Sequence, residues 1–138
     1  MESESSLNAA TVSGGQIEKS QAEKAYKSAL EISQQIGDRD IEANVLNNFA
    51  SLHKSVGEYQ SALIYYLQAL PLWQALGDTA RETNAISNLG TLYRTLGDKQ
   101  KALFYQESAL KLARADDKQQ QAQALNGRGM AYYALGDE

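Results

Sequence analysis

The chain has 138 residues, of which 43% are hydrophobic and 22% charged, and its formal net charge is -4. This composition is typical of one folded domain and argues against a chain that is disordered throughout. The acidic balance disfavours a nucleic-acid backbone binder, which needs a basic stripe. The sequence contains no cysteine, which excludes a disulfide framework, a cysteine nucleophile and a thiolate metal cluster.

The N-terminal stretch, residues 1–15, is rich in Ser, Asn, Thr and Gly. It has neither the basic region nor the apolar core of a signal peptide. No apolar run in the chain approaches the length of a membrane span. Together with the lack of cysteine, these features predict a cytoplasmic protein that does not enter a membrane. The stretch itself is expected to be either a weak first helix or a mobile leader.

Beyond this stretch, apolar residues recur at helical spacing, which predicts an all-α protein. The predicted helices span residues 16–36, 41–56, 59–76, 79–96, 99–115 and 118–135. Gly-Asp pairs at 37–38, 77–78 and 97–98 separate four of them. Gly can end a helix in the left-handed conformation, and Asp can then cap the next helix. At the last junction Asp116 replaces Gly and Asp117 is the expected cap, and Pro71 inside a helix predicts a kink.

Two sets of residues are expected to face the core. In the second helix they are Leu46, Phe49, His53 and Val56, and in the last helix Leu125, Tyr132 and Leu135. Small residues recur in register at Ala50, Gly90 and Gly129 and at Ala62, Ala69, Ala102 and Ala109. Small side chains let helices approach to the near end of the roughly 8–10 Å range. A mid-helix glycine costs about 1 kcal/mol relative to alanine, so Gly90 and Gly129 require a packing reason.

The two-helix unit recurs about every 40 residues, and repetition at such a period indicates a solenoid. The pattern Leu89-Gly90, Tyr93, Gly97-Asp98, Ala102 and Ala109 resembles the tetratricopeptide repeat. The resemblance implies a right-handed superhelical solenoid of antiparallel helix pairs. It divides the chain into a partial repeat (16–36), two repeats (37–76 and 77–115) and a half repeat (116–138). HEAT-type helical repeats, which have a similar period, are the alternative fold.

The sequence departs from the usual pattern in several ways. The ordinary period of this family is about 34 residues, so the chain is more similar to the long repeats of bacterial, especially cyanobacterial, multidomain proteins. Gln106 stands where Tyr26 and Tyr66 place an aromatic ring, His53 replaces a Tyr and Arg128 replaces a Leu. The array stops where a partner helix is expected to begin, which predicts a fragment of a longer repeat protein.

No catalytic constellation is recognisable in the sequence. His53 is the only histidine, and its place on an apolar face favours a structural role over catalysis or metal binding. Gly14-Gly15 lacks the context of a phosphate loop, and Gly127-Arg128-Gly129 lies inside a predicted helix. We therefore expect neither an enzyme nor a bound cofactor or metal.

A polar stripe runs beside the apolar face of the first helix in each pair, at spacings of three, four and three that keep each set on one face. Amide side chains both donate and accept hydrogen bonds, which suits an extended peptide backbone, and cations hold carboxylates. The resemblance implies that these positions line a concave peptide-binding groove, although a polar stripe is also what a solvent-facing surface looks like. The candidate residues are Asn44, Asn47, Ser51, Lys54, Asn84, Ser87, Thr91, Arg94, Gln123, Asn126, Met130 and Tyr133.

The sequence thus predicts a protein-interaction module that binds a peptide or a partner domain. Two alternatives stay open. The array is a regulatory or scaffolding arm of a larger enzyme, such as a caspase-like (CHAT) protease, or it is a self-association module that forms a homodimer through an uncapped C-terminal helix.

Overall fold

The computed structural model describes residues 4–113 and 117–136, and within these ranges every regular element is an α-helix. The all-α prediction is therefore confirmed. Consecutive helices pack against one another along the whole chain, and α4 also contacts α6, so the fold is a helical-repeat solenoid. The helices are α1 (Glu4–Ile36), α2 (Arg39–Ser55), α3 (Tyr59–Leu76), α4 (Thr79–Thr95), α5 (Lys99–Leu112) and α6 (Lys118–Gly136).

Four junctions between helices share one backbone design. Glycines 37, 57, 77 and 97 all have φ between +68° and +89°, a region that residues with a Cβ rarely adopt. At each junction the residue after the glycine donates its N–H to the carbonyl five residues back, as Asp38 does to Ser33 at 2.9 Å and Asp98 to Tyr93 at 2.8 Å. This is the closing hydrogen bond of a Schellman motif. The chain therefore reverses direction by the same local geometry every 20 residues.

Aspartate side chains begin three of the helices that follow these glycines. The carboxylates of Asp38, Asp78 and Asp98 accept hydrogen bonds from backbone N–H groups three residues later, at 3.0–3.1 Å. Asp117 does the same for α6 at 3.0 Å, while Asp116 lies outside the described residues. Glu58 occupies the equivalent position before α3 but makes no such bond, because its carboxylate contacts Lys19 instead.

The start of the first helix differs from the predicted one. A single helix, α1, runs from Glu4, so that residues 14 and 15 lie inside it and not before it. The expected boundary at residue 16 is not visible as a break in the helix. Residues 1–3, 114–116, 137 and 138 lie outside the described ranges, and the division into repeats and the long-repeat relationship stay predictions. The kink expected at Pro71 also stays a prediction; α3 is one helix from Tyr59 to Leu76.

The core is built where the small residues predicted it. Ala50, Ala62, Ala69, Ala102 and Ala109 are all 0–1% exposed. Larger side chains fill the space around them: the central cluster joins two of these alanines to Leu63, Tyr66, Leu89 and Leu92. Close helix contact at the alanines and filled grooves beside them together exclude water from the helix interfaces.

Three of the expected inward residues are exposed. Val56 is 48% exposed because it caps the end of α2 and has left the helical face of Leu46 and Phe49. In α6, Leu125 and Tyr132 are 52% and 48% exposed. The residues of α6 that are buried instead are Gln120, Ala124 and Ala131, which form the helix side turned toward the preceding helices. The predicted set lies on another side of α6.

Candidate functional site

An open groove of about 600 Å³ crosses three helices on one side of the solenoid. Its wall consists mainly of uncharged polar side chains from α2, α4 and α6, which are the first helices of their pairs. The remaining contributions come from α3 and α5. The lining residues are Asn44, Asn47, Trp73, Arg81, Asn84, Ser87, Asn88, Thr91, Gln106, Gln123, Asn126, Gly127 and Met130.

Eight of the twelve predicted groove residues line this groove, namely Asn44, Asn47, Asn84, Ser87, Thr91, Gln123, Asn126 and Met130. A second cavity of about 670 Å³ contains Arg94 and Tyr133 and shares Asn126 and Met130 with the first. Ser51 and Lys54 line neither cavity. The hydroxyl of Ser51 lies 3.1 Å from the hydroxyl of Tyr66, so this side chain takes part in helix packing. That these residues bind a ligand remains a prediction.

Arg81 is the one charged residue in the lining of the first groove. Its Nη1 donates to Asn44 Oδ1 at 2.9 Å, and its guanidinium lies 5.0 Å from the centre of the Trp73 ring. Two carboxylates, those of Asp40 and Asp78, each lie 3.5 Å from its nitrogens. The aromatic face and these oxygens fix the orientation of the guanidinium. Arg81 thereby presents a positioned positive charge at the groove edge.

Gln106 forms part of the groove floor between two glycines on different helices. A Cβ on Gly90 would lie 2.5 Å from Gln106 Nε2, and one on Gly127 would lie 2.2 Å from Gln106 Oε1. Nε2 donates to the carbonyl of Ser87 at 3.3 Å. This explains the mid-helix glycine at position 90. The packing reason expected for Gly129 is absent among the described residues, since nothing lies within 4 Å of a Cβ there; Gly127 has that role.

Sequence analysis missed five lining residues: Trp73, Arg81, Asn88, Gln106 and Gly127. Asn88 directly follows Ser87, and the two side chains turn about 100° apart on a helix, so a narrow stripe excluded it. Trp73 and Arg81 belong to different helices and meet only in the folded chain. A signal for Gln106 did exist, because a polar residue replaced the aromatic one at that repeat position.

Comparison with known proteins identifies the repeat. A family model described as tetratricopeptide repeat matches residues 20–75 and 42–115. The chain belongs to the tetratricopeptide repeat family. Repeats of this family generally mediate protein–protein interaction, and the family is typically non-catalytic.

Among solved structures, the tetratricopeptide chain is similar to BtubC (BKLC) from P. vanneervenii, with 31% sequence identity and a TM-score of 0.73. The match covers 86% of the present chain and 51% of BtubC, so the chain spans about half the length of that relative. A search of curated proteins found no match. Across residues 4–113 and 117–136, no helix has the combined length and apolar character needed to cross a bilayer.

Proposed function

We propose that the groove binds an extended peptide segment of a partner protein. The observation that carries this proposal is the convergence of amide side chains from α2, α4 and α6 on one open groove. Asn47, Asn84 and Asn126 come from three different repeats. Each amide supplies both a donor and an acceptor, and an extended backbone presents alternating groups of both kinds along its length. A ladder of amides along a groove therefore matches a peptide main chain.

The charges around the groove favour a peptide that carries carboxylates. No carboxylate is among the residues that line either cavity, whereas Arg81 lines the first and Arg94 the second. The chain as a whole has a net charge of -4, so this local excess of positive charge is opposite to the average. An arginine can hold a carboxylate by two parallel hydrogen bonds.

The test is a selection from a displayed library of random linear peptides, followed by affinity measurement with the selected sequences. We expect Asn47→Ala and Asn84→Ala each to weaken binding by roughly two- to tenfold, the worth of about one hydrogen bond. Asn48→Ala is the matched control, because Asn48 is exposed next to Asn47 but does not line the groove. If Asn47→Ala, Asn84→Ala and Arg94→Ala leave the affinity unchanged in folded protein, the groove assignment is wrong.

Self-association is a second candidate, favoured by the exposure of apolar side chains on α6. Tyr133 is 75% exposed, and Leu125 is more than half exposed. Side chains of this kind on one helix are typical of a contact with another protein surface. Light scattering across a concentration series tests it: a homodimer predicts a rising mass that Leu125→Ser with Tyr133→Ser abolishes. A constant monomer mass would reject it.

A further inference from the structure

Away from the groove, a cluster of ionisable side chains joins α1 to the turn between α2 and α3. Glu23 comes from α1, His53 from the last turn of α2, and Glu58 from the residue before α3. One ligand atom from each of the three lies within 4.8 Å of the other two. Carboxylate oxygen and imidazole nitrogen are both common metal ligands.

The imidazole of His53 is buried without the hydrogen bonds that buried polar groups usually make. The residue is 7% exposed, and its ring stacks between Phe49 and Tyr65 at centroid distances of 4.9 and 5.4 Å. Neither ring nitrogen has a hydrogen-bond partner among the described residues. Most buried side-chain nitrogens have one, and each exception requires an explanation. Nδ1 lies 3.6 Å from Glu58 Oε1, which is too far for a hydrogen bond and consistent with a shared third partner.

A positive charge already lies between the two carboxylates. The ammonium of Lys19 contacts Glu58 and lies 3.6 Å from a carboxylate oxygen of Glu23. The hydrogen bond between Lys19 and Glu58 lowers the pKa of Glu58 and raises the pKa of Lys19. The side chain of Lys19 is 27% exposed, and its four-carbon stem can rotate the ammonium into solvent. The cluster therefore favours a cation and holds it by a group that can leave.

We propose that Glu23, His53 and Glu58 form a binding site for a divalent transition-metal ion of the zinc class, and that the metal displaces the Lys19 ammonium. One imidazole and two carboxylates form a mixed nitrogen and oxygen set that suits Zn²⁺, whereas Mg²⁺ and Ca²⁺ prefer oxygen alone. Neutral imidazole is the ligand, and the metal replaces one ammonium charge with two charges between the carboxylates. No bond is broken and no electron is transferred.

The site has the layout of a shallow funnel. The imidazole lies at the bottom, because the His53 side chain is 9% exposed, while those of Glu23 and Glu58 are 28% and 42% exposed at the rim. The ligand atoms have to close from their present separations to reach metal distances of about 2.0–2.2 Å. Rotation of the two rim carboxylates supplies this movement. A bound ion would then cross-link α1 to the α2–α3 hairpin, which makes metal availability a control on the docking of α1.

The experiment is a titration of the full chain with Zn²⁺ by calorimetry and with Co²⁺ by visible absorption, using the metals alone. We expect one saturable site with an absorption band from Co²⁺–imidazole coordination. His53→Phe keeps the aromatic stack and removes the nitrogens, and it should weaken binding by at least about tenfold, a loss that even outer-shell changes produce at metal sites. Lys19→Met, which keeps the apolar stem, should tighten binding by removing the competing ammonium.

Glu31→Gln is the matched control, because Glu31 is an exposed carboxylate on the same helix, two turns beyond Glu23, and it should leave the affinity unchanged. If His53→Phe does not fold, Glu23→Gln tests the same site from the exposed rim and should also weaken binding. Absence of one-to-one binding overturns the proposal. So does an affinity that His53→Phe or Glu23→Gln leaves unchanged, or one that Lys19→Met fails to raise.

Discussion

The side-chain amide of Gln106 fills the space that Gly90 leaves on the facing helix, with Nε2 only 2.5 Å from the position of a Cβ on residue 90. Gln106 is 4% exposed and is held by its hydrogen bond to Ser87. Gly127 closes on it from α6. One polar side chain thus determines which residues two other helices can carry at this level of the stack.

This contact predicts opposite effects of one substitution in two backgrounds. Gly90→Ala should destabilise the parent chain, because overpacking costs about 1–3 kcal/mol and exceeds the helix-propensity gain of about 1 kcal/mol. In a Gln106→Ala background the same change should stabilise by up to about 1 kcal/mol. Urea unfolding of the four chains measures both values, and the same sign in both backgrounds would contradict the contact.

Gly129 offers a control for that prediction within α6. No described atom lies within 4 Å of a Cβ at this position. Gly129→Ala should therefore raise the free energy of unfolding by up to about 1 kcal/mol through helix propensity alone. Gly127→Ala, two residues earlier, should lower it because of Gln106. Thermal melts of the two variants compare them directly, and equal shifts would show that the glycines are equivalent.

The alanine at position 62 is expected to be intolerant of enlargement. It is 0% exposed and lies in one cluster with Ala50 and Leu89. Ala62→Leu should lower the free energy of unfolding by about 1–3 kcal/mol through overpacking. Ala75→Leu on the exposed side of the same helix should change it little. Denaturant titration distinguishes them, and a parent-like midpoint for Ala62→Leu would refute close helix contact here.

The cap of α5 should contribute measurable stability. Asp98 Oδ1 accepts from the Lys101 N–H at 3.1 Å, and loss of such a cap costs about 0.5–2 kcal/mol. Asp98→Ala should show this loss in chemical denaturation. Asp98→Asn should retain most of the stability, since its side-chain oxygen still accepts the bond. A large loss in Asp98→Asn would instead point to charge as the cause.

The pKa of Glu58 should depend on Lys19. In the folded chain the hydrogen bond from Lys19 is the main reason that this pKa lies below its ordinary value of 4.5. A depressed carboxyl pKa stabilises the fold above the unfolded value, and this contribution is lost as pH falls from about 4.5 through the lower folded value. Carbon chemical shifts recorded across pH in metal-free protein should show a higher Glu58 pKa in Lys19→Met. An unchanged pKa would mean that the contact is absent in solution.

The parts of the fold that depend on local chemistry were predictable from the sequence. Glycine and aspartate at the junctions act within a few residues of chain, and their repetition made both the helix ends and the 20-residue reversal readable. The buried alanines were predictable for a related reason, because three repeats carry them in register. Most of the groove followed from a polar stripe that sits at a constant angle from the apolar face.

What could not be predicted depends on the rotation of one helix against another. Leu125 and Tyr132 are apolar, but which side of α6 meets α5 is decided by contacts such as Gln106 with Gly127. Arg81 and Trp73 meet across two helices, and His53 meets Glu23 across a separation of 30 residues. No periodicity within one helix carries that information. The lone histidine therefore looked like an ordinary core residue.

The replacement of an aromatic ring by Gln106 also has a kinetic consequence. Tyr66 seals the preceding repeat with a ring that is 2% exposed, whereas the next interface depends on an amide whose Oε1 has no partner among the described residues. Sub-global opening follows the weakest interface. Amide protons of α6 should therefore exchange with solvent ahead of those in α2 and α3, so that the array frays from one side in a set order.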